Sequence, residues 1–456
     1  MIEEVIVIGG GLAGSEAAWQ IARRGVDVLL FEMRPLKQTG AHQSGYLAEL
    51  VCSNSLGSRL PDRASGVLMT ELRHLGSLLL GIAEMVAVPA GGALAVDRKA
   101  FARGVTEKIE SHPNITLMRE EVERIPEGIV VLASGPLTSE KLANELSLIT
   151  GEEHLYFYDA LSPIVEAESV DMSIAFRASR YGRGQNSEGD YINCPMNEVE
   201  YEEFIDALLV SERIPLHDFE VAVTGGVLAG EKKYFEGCLP VEVIAERGRD
   251  SLAYGPMRPV GLIDPRSGHR PHAVVQLRQD NLIGSLYNIV GFQTNLTYIE
   301  QARVLRKIPG LEEARFIRYG QMHRNTYINA PKLLLPTLQS RNRRSLFFTG
   351  QITGVEGYLS NIATGLYAGW SAACLAHGDE AIILPQTTML GSLCHYISHA
   401  DPSSFQPMKS NFGIIPPLDD GIRRNRRKRA QAYALRSTHD LRLYMEDNEY
   451  NAHSHQ

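Results

Sequence analysis

The groups of this chain that could do chemistry are a glycine-rich turn, one well-placed carboxylate and five scattered thiols. The turn is Gly9-Gly10-Gly11-Leu12-Ala13-Gly14. Its GxGxxG spacing suits a dinucleotide: Gly9 allows a sharp turn, Gly11 lets backbone approach a pyrophosphate, and Gly14 lets a helix pack closely on the preceding strand. Leu12 and Ala13 belong to the same cofactor-binding turn, and the N-terminus of the helix that follows supplies amide donors to the phosphates. Glu32 follows at about the expected separation of roughly 20 residues, where a carboxylate accepts hydrogen bonds from both hydroxyls of an adenosine ribose. The thiols are Cys52, Cys194, Cys238, Cys374 and Cys394. Their odd number, wide spacing and lack of a CxxC pair predict neither a disulfide framework nor a zinc site. Each is therefore judged singly, against the common fate of a buried core thiol.

These groups need a scaffold, and the flanking residues specify one. Val5-Ile6-Val7-Ile8 is an apolar strand, Ser15 to Ala22 reads as a helix, and Val26 to Phe31 is a second strand that delivers Glu32. Pro35 ends regular structure, and Cys52 follows the apolar pair Leu50-Val51. One helix is predicted across Gly66 to Leu80, and another opens within Leu94 to Arg98 and runs through Lys108, with Asp97 as its N-cap. Ile115-Thr116-Leu117 and Ile129 to Ala133 read as strands, the latter ending at Ser134-Gly135-Pro136. Leu346-Phe347-Phe348 is a late buried strand, followed by Thr349-Gly350-Gln351 and a glycine-containing helix to Leu375. That late return points to FAD rather than NAD. FAD extends beyond a first βαβ unit and needs a second pole, here Gly350 and Gln351, with a helix N-terminus near Gly354 placed to stabilise charge on a reduced flavin.

The predicted fold class is α/β, a Rossmann-like FAD-binding domain of the glutathione-reductase type with a mixed α+β inserted domain. The expected division is residues 1–150 for the first part of the FAD-binding domain and 151–335 for an inserted, RNA-facing substrate domain. Residues 336–376 return to the FAD-binding domain, and 377–456 form a C-terminal helical extension with a basic segment. With 44% hydrophobic and 22% charged residues among 456, the composition is that of an ordinary globular chain. It contains no apolar run of the roughly 18 residues that span a bilayer. A cytoplasmic protein without a membrane segment is expected, and no stable protein partner is implied. The net charge of −9 excludes a surface coated in positive field, so nucleic-acid contact would need a local patch. Arg423, Arg424, Arg426, Arg427, Lys428 and Arg429 form the densest basic run, with Arg341, Arg343 and Arg344 as a second group. Such a run can contact phosphates or simply be a solvated face.

More specific are several longer motifs. The residues Gly9 to Glu16, Phe31-Glu32-Met33-Arg34-Pro35, Cys52-Ser53-Asn54-Ser55-Leu56 and Tyr234-Phe235-Glu236-Gly237-Cys238-Leu239-Pro240 resemble the folate- and FAD-dependent tRNA uracil-5-methyltransferases of the TrmFO type. So do Tyr254 to Leu262, Met322-His323-Arg324-Asn325-Thr326 and Gly350 to Tyr358. The resemblance spans roughly residues 1 to 420. It implies reductive methylation of uridine to 5-methyluridine in the T loop of tRNA, at position 54. The one-carbon donor would be 5,10-methylenetetrahydrofolate, and FAD recharged by NADH or NADPH would pass on both carbon and electrons.

The resemblance also assigns residues. Carbon 5 of uracil becomes nucleophilic once something adds at carbon 6, and a thiolate suits that addition. Cys52 and Cys238 both belong to the family's functional set; which one attacks the base stays open. His323 and Tyr358 are candidates for stacking the folate pterin beside the flavin. The basic run Arg423 to Arg429 is the candidate RNA contact. Three other readings stay open at this point: the same chemistry on ribosomal RNA, a wobble-uridine-modifying flavoprotein, and a non-catalytic flavin-containing RNA-binding protein.

Overall fold

A computed structural model describes residues 3–150, 155–182, 184, 188–214, 239–320, 322–418 and 425–453. Its organising element is a five-stranded parallel sheet in the spatial order Leu346–Phe348, Ile129–Leu132, Val5–Ile8, Val28–Phe31, Ile115–Met118. These strands are short apolar runs. Val5, Val7, Leu30 and Val130 to Leu132 are fully buried, as expected of a parallel sheet covered on both faces. The chain leaves after Leu132 and returns more than two hundred residues later to add Leu346–Phe348 at the sheet edge, in register with Val130 to Leu132. A long helix, Tyr358–His377, follows that return strand. It crosses the first helix, Leu12–Ala22, at backbone contact: a Cβ on Gly365 would lie 2.3 Å from the Ala13 carbonyl oxygen, and one on Gly369 2.5 Å from that of Ala17.

Between departure and return lies a second sheet of six antiparallel strands with its own core. Its order is Phe176–Ala178, Tyr191–Met196, Ala273–Gln279, Leu286–Ile289, Ile164–Glu166, Phe316–Arg318. Helix Glu198–Leu209 packs Tyr201, Phe204, Ile205 and Leu208 into it. Leu155–Ala160 and Met322–Tyr327 pair antiparallel as the outgoing and returning legs. The mixed inserted unit is therefore entered and left through one two-stranded ribbon.

Two local expectations need correction. The helix predicted across Gly66 to Leu80 is two helices, Ala64–His74 and Leu78–Met85. Gly76 between them adopts φ +72°, and Ser77 caps the second by accepting from the Leu80 amide. Glu16 of the first helix stabilises the break by accepting from the amides of Leu78 and Leu79, a contact no local pattern reveals. The helix expected to open within Leu94 to Arg98 is instead strand Ala93–Val96 followed by helix Arg98–Glu110. Asp97 caps that helix as expected, through the Ala100 amide at 2.9 Å. The basic segment after Asn425 is the start of a terminal helix, Arg426–His453. It docks through the Ser437 hydroxyl, which donates to the buried Glu71 carboxylate.

Candidate active site

The glycine turn joins Val5–Ile8 to Leu12–Ala22 as the spacing predicts. Gly9 holds φ +105°, a conformation closed to residues with a side chain, and its amide donates to the Phe31 carbonyl at 2.8 Å. Gly14 is required by close approach, because a Cβ there would lie 1.8 Å from the Gly9 carbonyl oxygen. At Gly11 a Cβ would meet nothing within 4 Å, since this position opens onto a crevice. Gly9, Gly11, Leu12, Ala13 and Glu32 line that crevice on one side, and Gly350, Gln351, Tyr358 and Asn361 line it on the other. Gly10 and Gly14 stand behind the wall and shape it.

Glu32 carries a partner that the ribose expectation did not include. Its carboxylate accepts from the Gly10 amide at 2.9 Å, the Arg34 amide at 2.9 Å, and Arg34 Nε and Nη2 at 2.9 and 3.2 Å. Burial pushes this carboxyl up, but the Arg34 hydrogen bonds and charge more than offset it, leaving it below the usual range. Arg34 also approaches Glu49 at 3.4 Å. The sequence reading also missed the wall formed by Glu120, Glu121 and Val122. They directly follow strand Ile115–Met118, so the rule that ligands bind at strand carboxyl ends would have found them.

At the other pole, helix Tyr358–His377 starts from Gly357 with its first amides free of intrahelical partners, as at any helix N-terminus. Asn361 Oδ1 is buried against the crevice with no hydrogen-bond partner, an acceptor that a bound ligand can satisfy. A glycine turn open at Gly11, a carboxylate at the second strand end and a helix N-terminus across the crevice fit FAD.

Cys52 lies beside this pole. Its amide donates to the Tyr358 hydroxyl at 2.7 Å, so the two residues chosen from sequence, three hundred positions apart, are in contact. Asn54, two residues on, is fully buried and bridges the units: its amide donates to the carbonyls of Val96 and Gln279, and its oxygen accepts from Arg278 Nε at 2.8 Å. His323 stands on strand Met322–Tyr327, paired in register with Asp159. Cys238, Arg423 and Arg424 lie outside the described residues. Arg426 begins the terminal helix, and Arg427, Lys428 and Arg429 are exposed on its first turn. Of the second basic group, Arg343 serves structure, donating to the carbonyls of Pro126 and Gly128. Burial pushes the thiols of Cys194, Cys374 and Cys394 up, away from the reactive thiolate form.

Fold and crevice together define a Rossmann-like FAD-binding protein of the glutathione-reductase type with an inserted α+β domain. The family described as Glucose inhibited division protein A matches residues 4–380. Among relatives, the methylenetetrahydrofolate--tRNA-(uracil-5-)-methyltransferase TrmFO of Anoxybacillus flavithermus is 54% identical over 442 residues, covering 97% of this chain and 99% of its own. That of Pelotomaculum thermopropionicum is 55% identical over 443 residues, covering 97% and 98%. The chain belongs to the glucose inhibited division protein A family and, within it, to the TrmFO methyltransferases. Among solved structures, Aquifex aeolicus GidA superposes with a TM-score of 0.67 at 18% identity, covering 97% of this chain and 73% of that one, a likeness of fold.

Proposed function

We propose that this protein methylates carbon 5 of uridine in the T loop of tRNA, at position 54. The one-carbon donor is 5,10-methylenetetrahydrofolate, and FAD is reduced by NADH or NADPH. The observation that carries this reading is the contact of Cys52 with Tyr358 at the rim of an FAD crevice, in a chain that matches tRNA methyltransferases nearly end to end. FAD, when bound, supplies the reducing equivalents and relays the one-carbon unit.

The chain's own residues do the rest. The amides after Gly11 neutralise the diphosphate. Glu32 would take the ribose hydroxyls, with the Arg34 guanidinium held between it and Glu49. The N-terminus of helix Tyr358–His377 and the Asn361 oxygen hold the far end of the cofactor. Cys52 and Cys238 are the two working thiols, one adding at carbon 6 of uracil and the other shielding the site or relaying protons. His323 and Tyr358 flank the pterin. The run Arg423 to Arg429 contacts tRNA phosphates; cations on a helix's first turn oppose its dipole, so they stand there at a local cost. No helix among the described residues is long and apolar enough to cross a membrane, and the enzyme works in the cytoplasm.

The decisive experiment incubates the purified protein with methylenetetrahydrofolate, NADH or NADPH, and unmodified tRNA, and maps 5-methyluridine by nuclease digestion and mass spectrometry. Methylation at the T loop is expected. Methylation of ribosomal RNA alone, or of no RNA, overturns the reading. Single Cys52→Ala and Cys238→Ala variants divide the two thiol roles, and wild-type rates from both would remove them from the chemistry.

A further inference from the structure

Cys52 sits where separate parts of the chain converge, and both polar atoms of its peptide are bound by distant side chains. Its amide is held by Tyr358. Its carbonyl accepts from Arg98 Nη2 at 2.9 Å and from Arg318 Nη2 at 3.0 Å. The same two guanidinium groups take the carbonyls just before it: Arg98 reaches that of Leu50 at 2.8 Å, and Arg318 that of Val51 at 3.1 Å. Three consecutive carbonyls thus receive four charge-assisted hydrogen bonds. Loop carbonyls are ordinarily satisfied by water or backbone, without desolvating two arginines.

The arginines come from different units. Arg98 is the first residue of helix Arg98–Glu110 in the dinucleotide-binding unit, and Arg318 ends strand Phe316–Arg318 of the inserted sheet. The arrangement therefore closes only when the two units are seated together.

Three guanidinium groups meet at this junction. Charged and titratable groups at this junction include Arg98, Arg278, Asp280, Arg318 and Tyr358, with Glu49 upstream on the Cys52 segment. Asp280 binds Arg98 through both oxygens, at 2.9 and 3.0 Å, and also supports the charge of Arg278 and Arg318. One carboxylate thus serves three cations. Burial pulls the Arg318 guanidinium down to about 10, whereas Cys52 acts in the direction that favours its charge; Coulomb interaction is mutual, so the arginine favours the thiolate.

We propose that Arg98 and Arg318 are positioning residues for Cys52, clamping its carbonyl at the rim of the flavin crevice and placing beside that residue positive charge that favours its thiolate. The proposal rests on Cys52 being one of the working thiols. The clamp sets how nucleophilic that thiol is, and ties its activation to the docking of the inserted unit.

Iodoacetamide alkylation of Cys52 in the purified full-length flavoprotein, followed against pH by mass spectrometry of its peptide, reads the thiolate without folate, nicotinamide or RNA. Arg318→Ala is expected to raise the midpoint of this profile by about one unit, making alkylation roughly tenfold slower at neutral pH, with flavin absorbance retained. Arg318→Lys, which keeps the charge and loses the fork, restores the midpoint while leaving methylation slow. Asp280→Asn removes the shared counter-charge and moves the midpoint the opposite way. A purely structural role would shift Arg318→Ala and Asp280→Asn in the same direction or in neither, and that result overturns the proposal. If Arg318→Ala does not fold, a wild-type midpoint in Arg318→Lys together with a lowered one in Asp280→Asn supports the proposal, and an unmoved or raised midpoint in Asp280→Asn overturns it. Wild-type methylation by Cys52→Ala alongside shifted midpoints would instead refute the catalytic reading and leave the clamp standing.

Discussion

The dinucleotide cradle and the Cys52 junction share one crevice and are built in opposite ways. The cradle is a strand, a turn and a helix in immediate succession, and most of its donors are backbone amides. Gly9 donates to the Phe31 carbonyl and Gly10 to Glu32, so neighbouring strands finish what the turn begins. At the junction, side chains from positions 98, 318 and 358 converge on one peptide. Backbone geometry specifies the cradle, which many proteins can therefore share, whereas packing between units specifies the junction, where the chemistry is proposed to lie.

Substitutions should separate the two regions. Gly14→Val strikes the cradle hardest, because the new side chain meets the fixed Gly9 carbonyl; no FAD-binding protein should be recovered, as read by flavin absorbance and urea unfolding. Glu32→Gln leaves Arg34 buried without its full counter-charge and should cost about 3 kcal/mol together with most of the FAD affinity, measured by denaturation and flavin titration. The pH dependence sharpens this second test. Because the folded-state carboxyl of Glu32 lies below its ordinary value of 4.5, its contribution is present above that pH and is lost as pH falls through the folded value. Acid unfolding of the wild type should carry this component, and the Gln variant should lack it.

Asn54→Ala tests the junction. It leaves the buried Arg278 Nε unpaired and should cost about 2 kcal/mol. Methylation should fall while FAD stays bound, and loss of flavin in this variant would erase the proposed distinction between the regions. Neutralising Arg427, Lys428 and Arg429 should have the smallest effect: flavin and thiol reactivity unchanged, but the salt dependence of tRNA binding shallower by roughly two to three in a log–log plot. An unchanged slope removes this segment from the RNA contact.

Legibility in the sequence followed the same division. The turn, Glu32, the late return strand and the long helix after it could all be read, because each is set by residues adjacent in the chain. Cys52 and Tyr358 were singled out through motif resemblance, but nothing in their spacing predicted that one would hydrogen-bond the other. The break between Ala64–His74 and Leu78–Met85 was missed for a related reason. Apolar periodicity runs across it, while the group that stabilises it, Glu16, lies sixty residues away.

By itself, the sequence determined a strand-turn-helix that can cradle a diphosphate, since glycine spacing and β-branched runs act on the backbone locally. Only the tertiary structure decided that Asn361 offers an unpaired acceptor to the crevice, and that Arg98 and Arg318 meet at Cys52. Those contacts depend on how two sheets and a returning helix are seated on one another, and side-chain reach across such interfaces is not encoded in any local period.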